Sequence, residues 1–469
     1  MRAALQQSGF AFPHNKRITV NLAPADLPKE SGRFDLAIAL GILTAAGHLD
    51  AARVDACEFA GELSLAGALR PVRGALALAL AAQREGRPRT LVLPAASARA
   101  AAQVSALQVR AAQTLAEVVA ALVPGDAAVP LPAAVPLPWA TPAAGADLSE
   151  VKGQAGAKRA LEIAAAGEHS LLLVGPPGTG KSMLAQRLCG LLPPLPEADA
   201  LASAALQGLR SSAEESLVPG LRPMRSPHHT ASAVALVGGG SPPRPGEISL
   251  AHGGVLFLYE LPEFPRAALE ALREPLETGQ VTISRAARQA SFPARFQLVA
   301  TMNPCPCGWL GAPAALGRAC RCTPEAAARY RGKLSGPLLD RVDLQVEVLA
   351  ASADELLSLP AGEPSHAVAA RVARARRRQI DRQGGPNGRL EAGQLDALCP
   401  LDGTASRFLR SAAQRLGWSG RRLHRCLKVA LTIADLAAGD GSSPATATSP
   451  ITTAHLAEAL QLGRALGDG

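Results

Sequence analysis

Eight consecutive residues constrain this chain more than any others: Gly175, Pro176, Pro177, Gly178, Thr179, Gly180, Lys181 and Ser182. They follow the apolar run Leu171 to Val174 and open a helical pattern, Met183 to Leu192. Strand, glycine loop and helix is the context in which G-x-x-x-x-G-K-[ST] cradles a phosphate. Backbone N–H groups face the anion, Lys181 adds a point charge, and Ser182 offers a hydroxyl to Mg²⁺. A chance match in a chain with 44 glycines is the competing reading, and both flanking elements oppose it. The loop predicts nucleoside triphosphate binding on a parallel α/β sheet.

At 469 residues, two or three domains are expected. An apolar fraction of 48% with 19% charged residues fits a globular chain. The longest apolar stretches, such as Leu36 to Ala46, are too short to cross a bilayer. The start, Met1 to Gln7, lacks the apolar core of a signal peptide. A cytoplasmic protein with no membrane partner is the expectation. The net charge of +9 is local: His366 to Lys428 holds 14 Arg/Lys against 4 Asp/Glu, which leaves the remainder near neutral. Such a segment suits nucleic acid. Only 7 of the 48 basic residues are lysines, a bias typical of GC-rich coding, so position rather than arginine content must decide.

Compositional breaks divide the chain. A proline-rich stretch, 123–146, reads as a semi-rigid linker. Before it, 1–122 shows an α/β pattern: strand-like Ile18 to Leu22, helix-like Phe34 to Ala46, the apolar segments Glu58 to Leu65 and Val72 to Ala82, and a buried strand at Thr90 to Pro94. After it, Leu171 to Val174, Val255 to Leu258 and Phe296 to Thr301 are candidate buried parallel strands. Residues from about 364 onward read as helical, most clearly His366 to Gln383. A flexible stretch, Gly439 to Pro450, precedes a last helix at His455 to Leu466.

Gly253 to Glu260 has the form of a Walker B strand, an apolar run ending where acidic residues would hold Mg²⁺ and orient water. Its first acidic position is Tyr259, a phenol with an ordinary pKa near 10 that supplies no negative charge. Glu260 is the water-polarising candidate. Phe296 to Asn303 is a second strand, ending in an amide within reach of a γ-phosphate or the water.

With these residues in place, the chain resembles the magnesium-chelatase-like AAA+ ATPases, in particular the competence-associated YifB/ComM branch. The matching stretches are Ile18 to Lys29, the loop Gly175 to Ser182, Ser226-Pro227-His228-His229-Thr230, and Gly238-Gly239-Gly240 with Pro245 to His252. Asn303-Pro304-Cys305-Pro306-Cys307-Gly308 and Ser335 to Arg341 complete the set, in the family's order. The resemblance implies an AAA+ P-loop core (147–350) with a C-terminal helical lid (351–469). It also implies a homohexameric ring with ATP and Mg²⁺ at subunit interfaces. Arg341 then looks like an arginine finger, a salt bridge to Asp340 or Asp343 being the alternative, and Arg421 matches a sensor-2 arginine. Glu260, Asn303, Arg341 and Arg421 are the catalytic candidates so implied. The implied work is ATP-driven branch migration of DNA, single-stranded or branched and independent of sequence, alongside recombination proteins during natural transformation. Two other readings stand beside it: a chelatase-type motor that remodels a protein, and a nucleotide-binding regulator with impaired hydrolysis.

Two departures from the family pattern matter. Tyr259 stands where the family carries Asp, a one-base change. The family's N-terminal domain also holds residues ahead of Arg2-Ala3-Ala4-Leu5, so a strand or two is expected to be missing, leaving a sheet edge unpaired. That domain, 1–122, resembles the Lon-protease-like fold. A peptidase of that type needs a serine activated by a later lysine. Only Ser8 precedes Lys16 and Lys29, whereas Ser31, Ser64 and Ser97 have no later lysine in the domain. A non-catalytic domain is expected.

Eight cysteines without an export signal argue against a disulfide framework. Four of them, Cys305, Cys307, Cys320 and Cys322, form C-x-C-x₁₂-C-x-C. A structural Zn²⁺ and reduced free thiols are both open readings. The adjacent His228 and His229 lack helical ligand spacing and read as loop residues. For DNA contact, the candidates are the insert Ser226 to Pro245 and the hairpin-like Val281 to Arg288, where Arg285 and Arg288 sit at either a phosphate-contacting or a solvated tip. Arg371, Arg374, Arg378 and Arg382 share one helical face, as a solvated stripe or a DNA stripe. Aromatic residues make up 3% of the chain, too few for recognition by base stacking.

Overall fold

The computed structural model describes residues 1–23, 32–86, 89–139, 145–210, 220–285, 288–312, 318–352, 357–438 and 450–463. Two compact units emerge. The first combines residues 1–141 with two segments from later in the chain, 196–221 and 240–245, and the second holds the remainder.

The first unit is built on three parallel strands, β1 (Cys57–Phe59), β2 (Thr90–Pro94) and β3 (Val109–Ala112), in that spatial order. Residues of β2 alternate between the two faces. Val92 enters a core with Leu36, Ala39, Leu40 and Leu43 of helix Asp35–Ala45, while Leu91 and Leu93 pack with Leu76 and Ala79 of helix Ala75–Glu85. Helix Glu197–Arg210 adds Leu201, Ala204 and Ala205 to the second of these cores. Nothing in its local pattern distinguishes it from a helix of the other unit.

Two expectations fail here. Ile18 to Leu22 is irregular, with Ile18 38% and Val20 49% exposed. Its alternation would suit a strand, but no described strand pairs with it. The proline-rich stretch is not simply a spacer. Its residues 131–134 run antiparallel along the edge of β3, where Ala111 N–H donates to Pro132 O and Ala134 N–H to Val109 O, each at 3.0 Å. Prolines are tolerated there because an edge strand needs only alternate N–H groups. Ser97, buried, donates to and accepts from the Val72 backbone, so it serves the fold rather than a peptidase site.

The second unit holds a five-stranded parallel sheet: β4 (Leu171–Val174), β5 (Met224–Arg225), β6 (Val255–Leu258), β7 (Gln297–Met302) and β8 (Leu344–Glu347), in the spatial order β8-β4-β7-β6-β5. Every residue of β4, β6 and β7 is buried, which explains why β4 and β6 are apolar throughout rather than alternating; β7 also buries Gln297 and Thr301. Leu171, Leu173, Val255 and Phe257 face one core, and Leu172, Val174, Leu256 and Leu258 face the other. Between β6 and β7 the predicted hairpin forms, Gln280–Arg285 against Arg288–Pro293, with Arg285 opposite Arg288 in the register. The turn residues 286–287 lie outside the described residues.

Helices Ser365–Gln383, Gly420–Ala437 and Thr453–Gln461 cover the first core together with helix Ala155–Gly167. Most of the expected flexible stretch, 439–449, lies outside the described residues. The arginine stripe does not form a free basic face. Arg371 pairs with Glu162 at 2.5 Å, and Arg382 forms a two-pronged pair with Asp435 at 2.8 and 2.9 Å with both side chains buried. Asn387 donates to the same carboxylate at 2.8 Å. Such a pair, once desolvated, fixes how two helices meet, because breaking it strands a charge.

Where β4 ends, Gly175 passes so close to β8 that an added Cβ would lie 2.3 Å from Val348 O. Gly175→Ala is therefore expected to cost about 2 kcal/mol of stability through overpacking, read from chemical denaturation midpoints. An unchanged midpoint would contradict this contact.

Candidate functional site

The carboxyl ends of β4, β6 and β7 converge on one cavity of about 300 Å³, at the lower end for small-molecule clefts. From β4 comes the loop Gly175 to Gly180. Gly178 and Gly180 hold φ of +79° and +86° with open space where a Cβ would lie, so glycine is needed for conformation rather than for room. Helix Lys181–Arg187 then begins, and Lys181 and Ser182 line the cavity. From β6 come Tyr259 and Glu260, and from β7 come Thr301, Met302 and Asn303.

Lys181 is buried, and its ammonium donates to Gly175 O at 2.6 Å, Pro176 O at 2.7 Å and Asn303 Oδ1 at 3.3 Å. The strand order places Asn303 there, because β7 lies beside β4. Glu260 adopts the left-handed region, φ +54°, and its N–H donates to Thr301 Oγ1 at 3.3 Å. A non-glycine residue in that region stores strain, and such outliers cluster at functional sites. Tyr259 is 46% exposed, and partial burial, followed by the charge and hydrogen bond of Glu260, raises its pKa. It therefore stays neutral.

Burial lowers the Lys181 pKa from 10.5 to about 8, with the Glu260 carboxylate acting the other way. The unfolded chain then binds more protons than the folded one between these two values, so stability of the ligand-free protein rises with pH across that window. A polyphosphate needs the ammonium, so its binding takes up a proton above pH 8. Triphosphate affinity is expected to fall roughly tenfold between about pH 7 and pH 9. Calorimetric titration in buffers of differing ionisation enthalpy checks this, and a flat profile would contradict it.

Sequence reasoning places the loop, Tyr259, Glu260 and Asn303 together, and they do meet. Arg341 and Arg421 do not line this cavity. Arg341 donates to Pro337 O at 2.6 Å and pairs with Glu277 at 2.5 Å, not with Asp340 or Asp343. Arg421 reaches the other oxygen of the same carboxylate at 3.2 Å. Both arginines hold the Glu277 carboxyl below its ordinary range, Arg341 the more strongly. Asp343 instead faces His169 at 3.4 Å and accepts from Ser170 N–H at 3.0 Å. Sequence reasoning does not single out Glu277, because an exposed acidic residue on the short helix Arg273–Thr278 carries no motif.

His228 and His229 lie in a loop, their ring centroids 4.1 Å apart. The four clustered cysteines converge: their sulfurs all lie within 4.8 Å of one another. Among the described residues no helix is long and apolar enough to cross a membrane.

Comparison with known proteins places these features. Residues 147–356 match the family described as magnesium chelatase, subunit ChlI. Residues 1–97 match subunit ChlI of Mg-chelatase, and 362–463 match the ChlI C-terminal region. The uncharacterized protein YifB of Salmonella typhimurium is 47% identical over 462 residues, covering 98% of this chain and 87% of that protein. Competence protein ComM of Haemophilus influenzae is 46% identical over 464 residues, covering 98% and 88%. YifB of Escherichia coli is 45% identical over 461 residues, covering 98% and 87%. A P-loop on a parallel sheet, C-terminal helices and near full-length similarity together establish that this chain belongs to the magnesium-chelatase-like AAA+ ATPases of the YifB/ComM family.

Proposed function

We propose that this chain is a ring-forming ATPase that drives DNA branch migration in recombination. The observation that carries the reading is the split of the candidate machinery. Lys181, Ser182, Glu260 and Asn303 surround one cavity, while Arg341 and Arg421 meet on Glu277 away from it. A site lacking its arginines is completed when a second copy supplies them, and a closed ring supplies one set per cavity.

The donor set fits the implied groups. Loop amides, Lys181 and Asn303 suit the triphosphate of ATP, and Ser182 with Glu260 offers the oxygen ligands a hard cation takes. Mg²⁺ there would neutralise phosphate charge. Glu260 would orient water, Asn303 would hold the terminal phosphate, and Arg341 and Arg421 would stabilise developing charge. Zn²⁺ at Cys305, Cys307, Cys320 and Cys322 completes the cofactor set of this reading.

In the same reading, residues 1–122 form a non-catalytic Lon-like domain, 123–146 the connection, 147–350 the motor core and 351–469 its lid, all at work in the cytoplasm. Similarity to a competence protein supports a role in competence, and DNA taken up during transformation is the substrate of this reading. The Arg285/Arg288 hairpin is the contact that suits a phosphate backbone, which makes binding salt-sensitive. The test is ATP turnover with and without a branched DNA, together with displacement of a labelled strand. Stimulation and displacement are expected. Stimulation by a protein alone would point to a remodelling motor.

One observation favours a second reading. The half-exposed phenol of Tyr259 stands where an anionic cation ligand would serve hydrolysis. A regulator that binds ATP without turning it over fits that feature, and tight binding with no turnover under any DNA condition would select it.

A further inference from the structure

We propose that Cys305, Cys307, Cys320 and Cys322 bind one Zn²⁺, and that this metal knot is a brace for the nucleotide cradle, so that losing the metal loosens nucleotide binding. The brace rests on the reading of Gly175 to Ser182 as a nucleotide site; the metal site does not.

The sulfur geometry is that of a tetrahedron around a metal. Cys305 Sγ lies 3.4 Å from Cys307 Sγ and 3.7 Å from Cys320 Sγ, and Cys307 Sγ lies 3.6 Å from Cys320 Sγ. Cys322 completes the set within the 4.8 Å limit. Zinc–sulfur bonds of about 2.3 Å in a tetrahedron separate neighbouring sulfurs by about 3.8 Å. Disulfide sulfurs lie at about 2.05 Å, so none of these pairs is bonded. All four cysteines are free.

Backbone donors surround the sulfurs as they surround metal-bound thiolates. N–H groups of Trp309 and Arg321 serve Cys307, that of Cys322 serves Cys320, and that of Cys307 serves Cys322. Such hydrogen bonds spread the negative charge of a tetrathiolate and fix ligand orientation. Zn²⁺ would take the places of the thiol protons, which leave to solvent. Four sulfurs converge from two pairs with twelve residues between them, and a cation at their centre would hold all four as thiolates.

The knot sits directly on the nucleotide site. Cys305 follows Asn303 by two residues, at the carboxyl end of β7. Gly308, at φ +82°, packs against the phosphate loop so closely that an added Cβ would lie 2.7 Å from Pro177 Cδ and 2.9 Å from Pro177 Cγ. On the return leg, Cys322 leads into helix Pro324–Arg331, whose cap Thr323 accepts from Ala326 N–H at 3.2 Å. The buried Tyr330 of that helix is hydrogen-bonded to the Asn303 backbone. One metal therefore joins two chain segments, one that packs Gly308 against Pro177 and one that leads to Tyr330 at the Asn303 backbone. Without it, the closure entropy of the intervening loop opposes this arrangement. Zinc binding would thus preorganise the amide that meets Lys181.

The test uses the full chain purified without added chelator. Zinc per chain is measured by plasma mass spectrometry, and affinity is measured with a fluorescent ATP analogue before and after metal release by a mercurial, excess thiol and chelator. One zinc per chain is expected, with the Kd raised at least tenfold on release and restored by Zn²⁺ but not by reductant alone. Cys320→Ser/Cys322→Ser is expected to lose zinc and to match the released protein. Because that variant could fail to fold, Gly308→Ala supplies an independent arm. It is expected to keep its zinc and its circular dichroism while its Kd rises, as Pro177 is displaced. Less than a tenth of an equivalent of metal, with tight nucleotide binding, would overturn the metal site and the brace together. One zinc per chain with a Kd unchanged by both release and Gly308→Ala would overturn the brace and leave the metal site standing. A zinc-loaded protein that binds no nucleotide would remove the nucleotide reading, and the brace with it.

Discussion

Tyr259→Asp is expected to raise ATP turnover by about 10²-fold, the scale on which one misplaced electrostatic group alters a rate. The residue lies at the carboxyl end of β6, lines the cavity and stands beside Glu260. Its pKa is raised by partial burial and by that neighbouring carboxylate, so it remains a neutral phenol at any physiological pH. A carboxylate there would bring a second anionic oxygen to the Mg²⁺ shell and leave Glu260 to the water. Nucleotide affinity should change far less, because the loop amides and Lys181 are untouched. Steady-state phosphate release by the two proteins at saturating ATP and Mg²⁺ is the measurement. Equal rates would show that the phenol is no obstacle.

In that faster background, Arg341→Ala is expected to lower turnover by roughly 10³-fold or more while leaving ATP affinity within a few-fold. An arginine that acts only on developing charge affects rate and not ground-state binding. The geometry adds a sharper consequence. Arg341 does not line its own chain's cavity and is held by Glu277 at 2.5 Å. If a neighbour's cavity is its target, mixing Arg341→Ala subunits with Lys181→Ala subunits should recover turnover at interfaces that pair an intact cavity with an intact arginine. Loss of affinity instead of rate, or no recovery on mixing, would return Arg341 to a structural ion pair.

Much of the second unit was legible because its signals are local. Leu171 to Val174 and Val255 to Leu258 are strands with those boundaries, since burial on both faces demands continuous apolar runs. The glycine loop, Glu260 and Asn303 were legible because strand ends and a phosphate motif are written in consecutive residues. What failed depends on partners distant in sequence. Ile18 to Leu22 alternates like a strand, yet no described strand pairs with it. Residues 131–134 carry the composition of a linker but line a sheet edge. Arg371 and Arg382 have the spacing of a basic stripe, but Glu162 and Asp435, far along the chain, neutralise them. Glu277 joins two arginines from separate segments, and Gly308 meets Pro177 only once β7 lies beside β4. No window of sequence holds both members of such a pair.

The most direct measurement is calorimetric titration of ATP into the folded chain beside its Lys181→Ala variant, at neutral pH with Mg²⁺. One triphosphate per chain is expected for the parent, with affinity reduced at least 100-fold in the variant, about the weight of a buried ammonium on a polyanion. Equal binding by the two proteins, or no uptake by the parent at millimolar nucleotide, would contradict the assignment of Gly175 to Ser182 as the phosphate cradle.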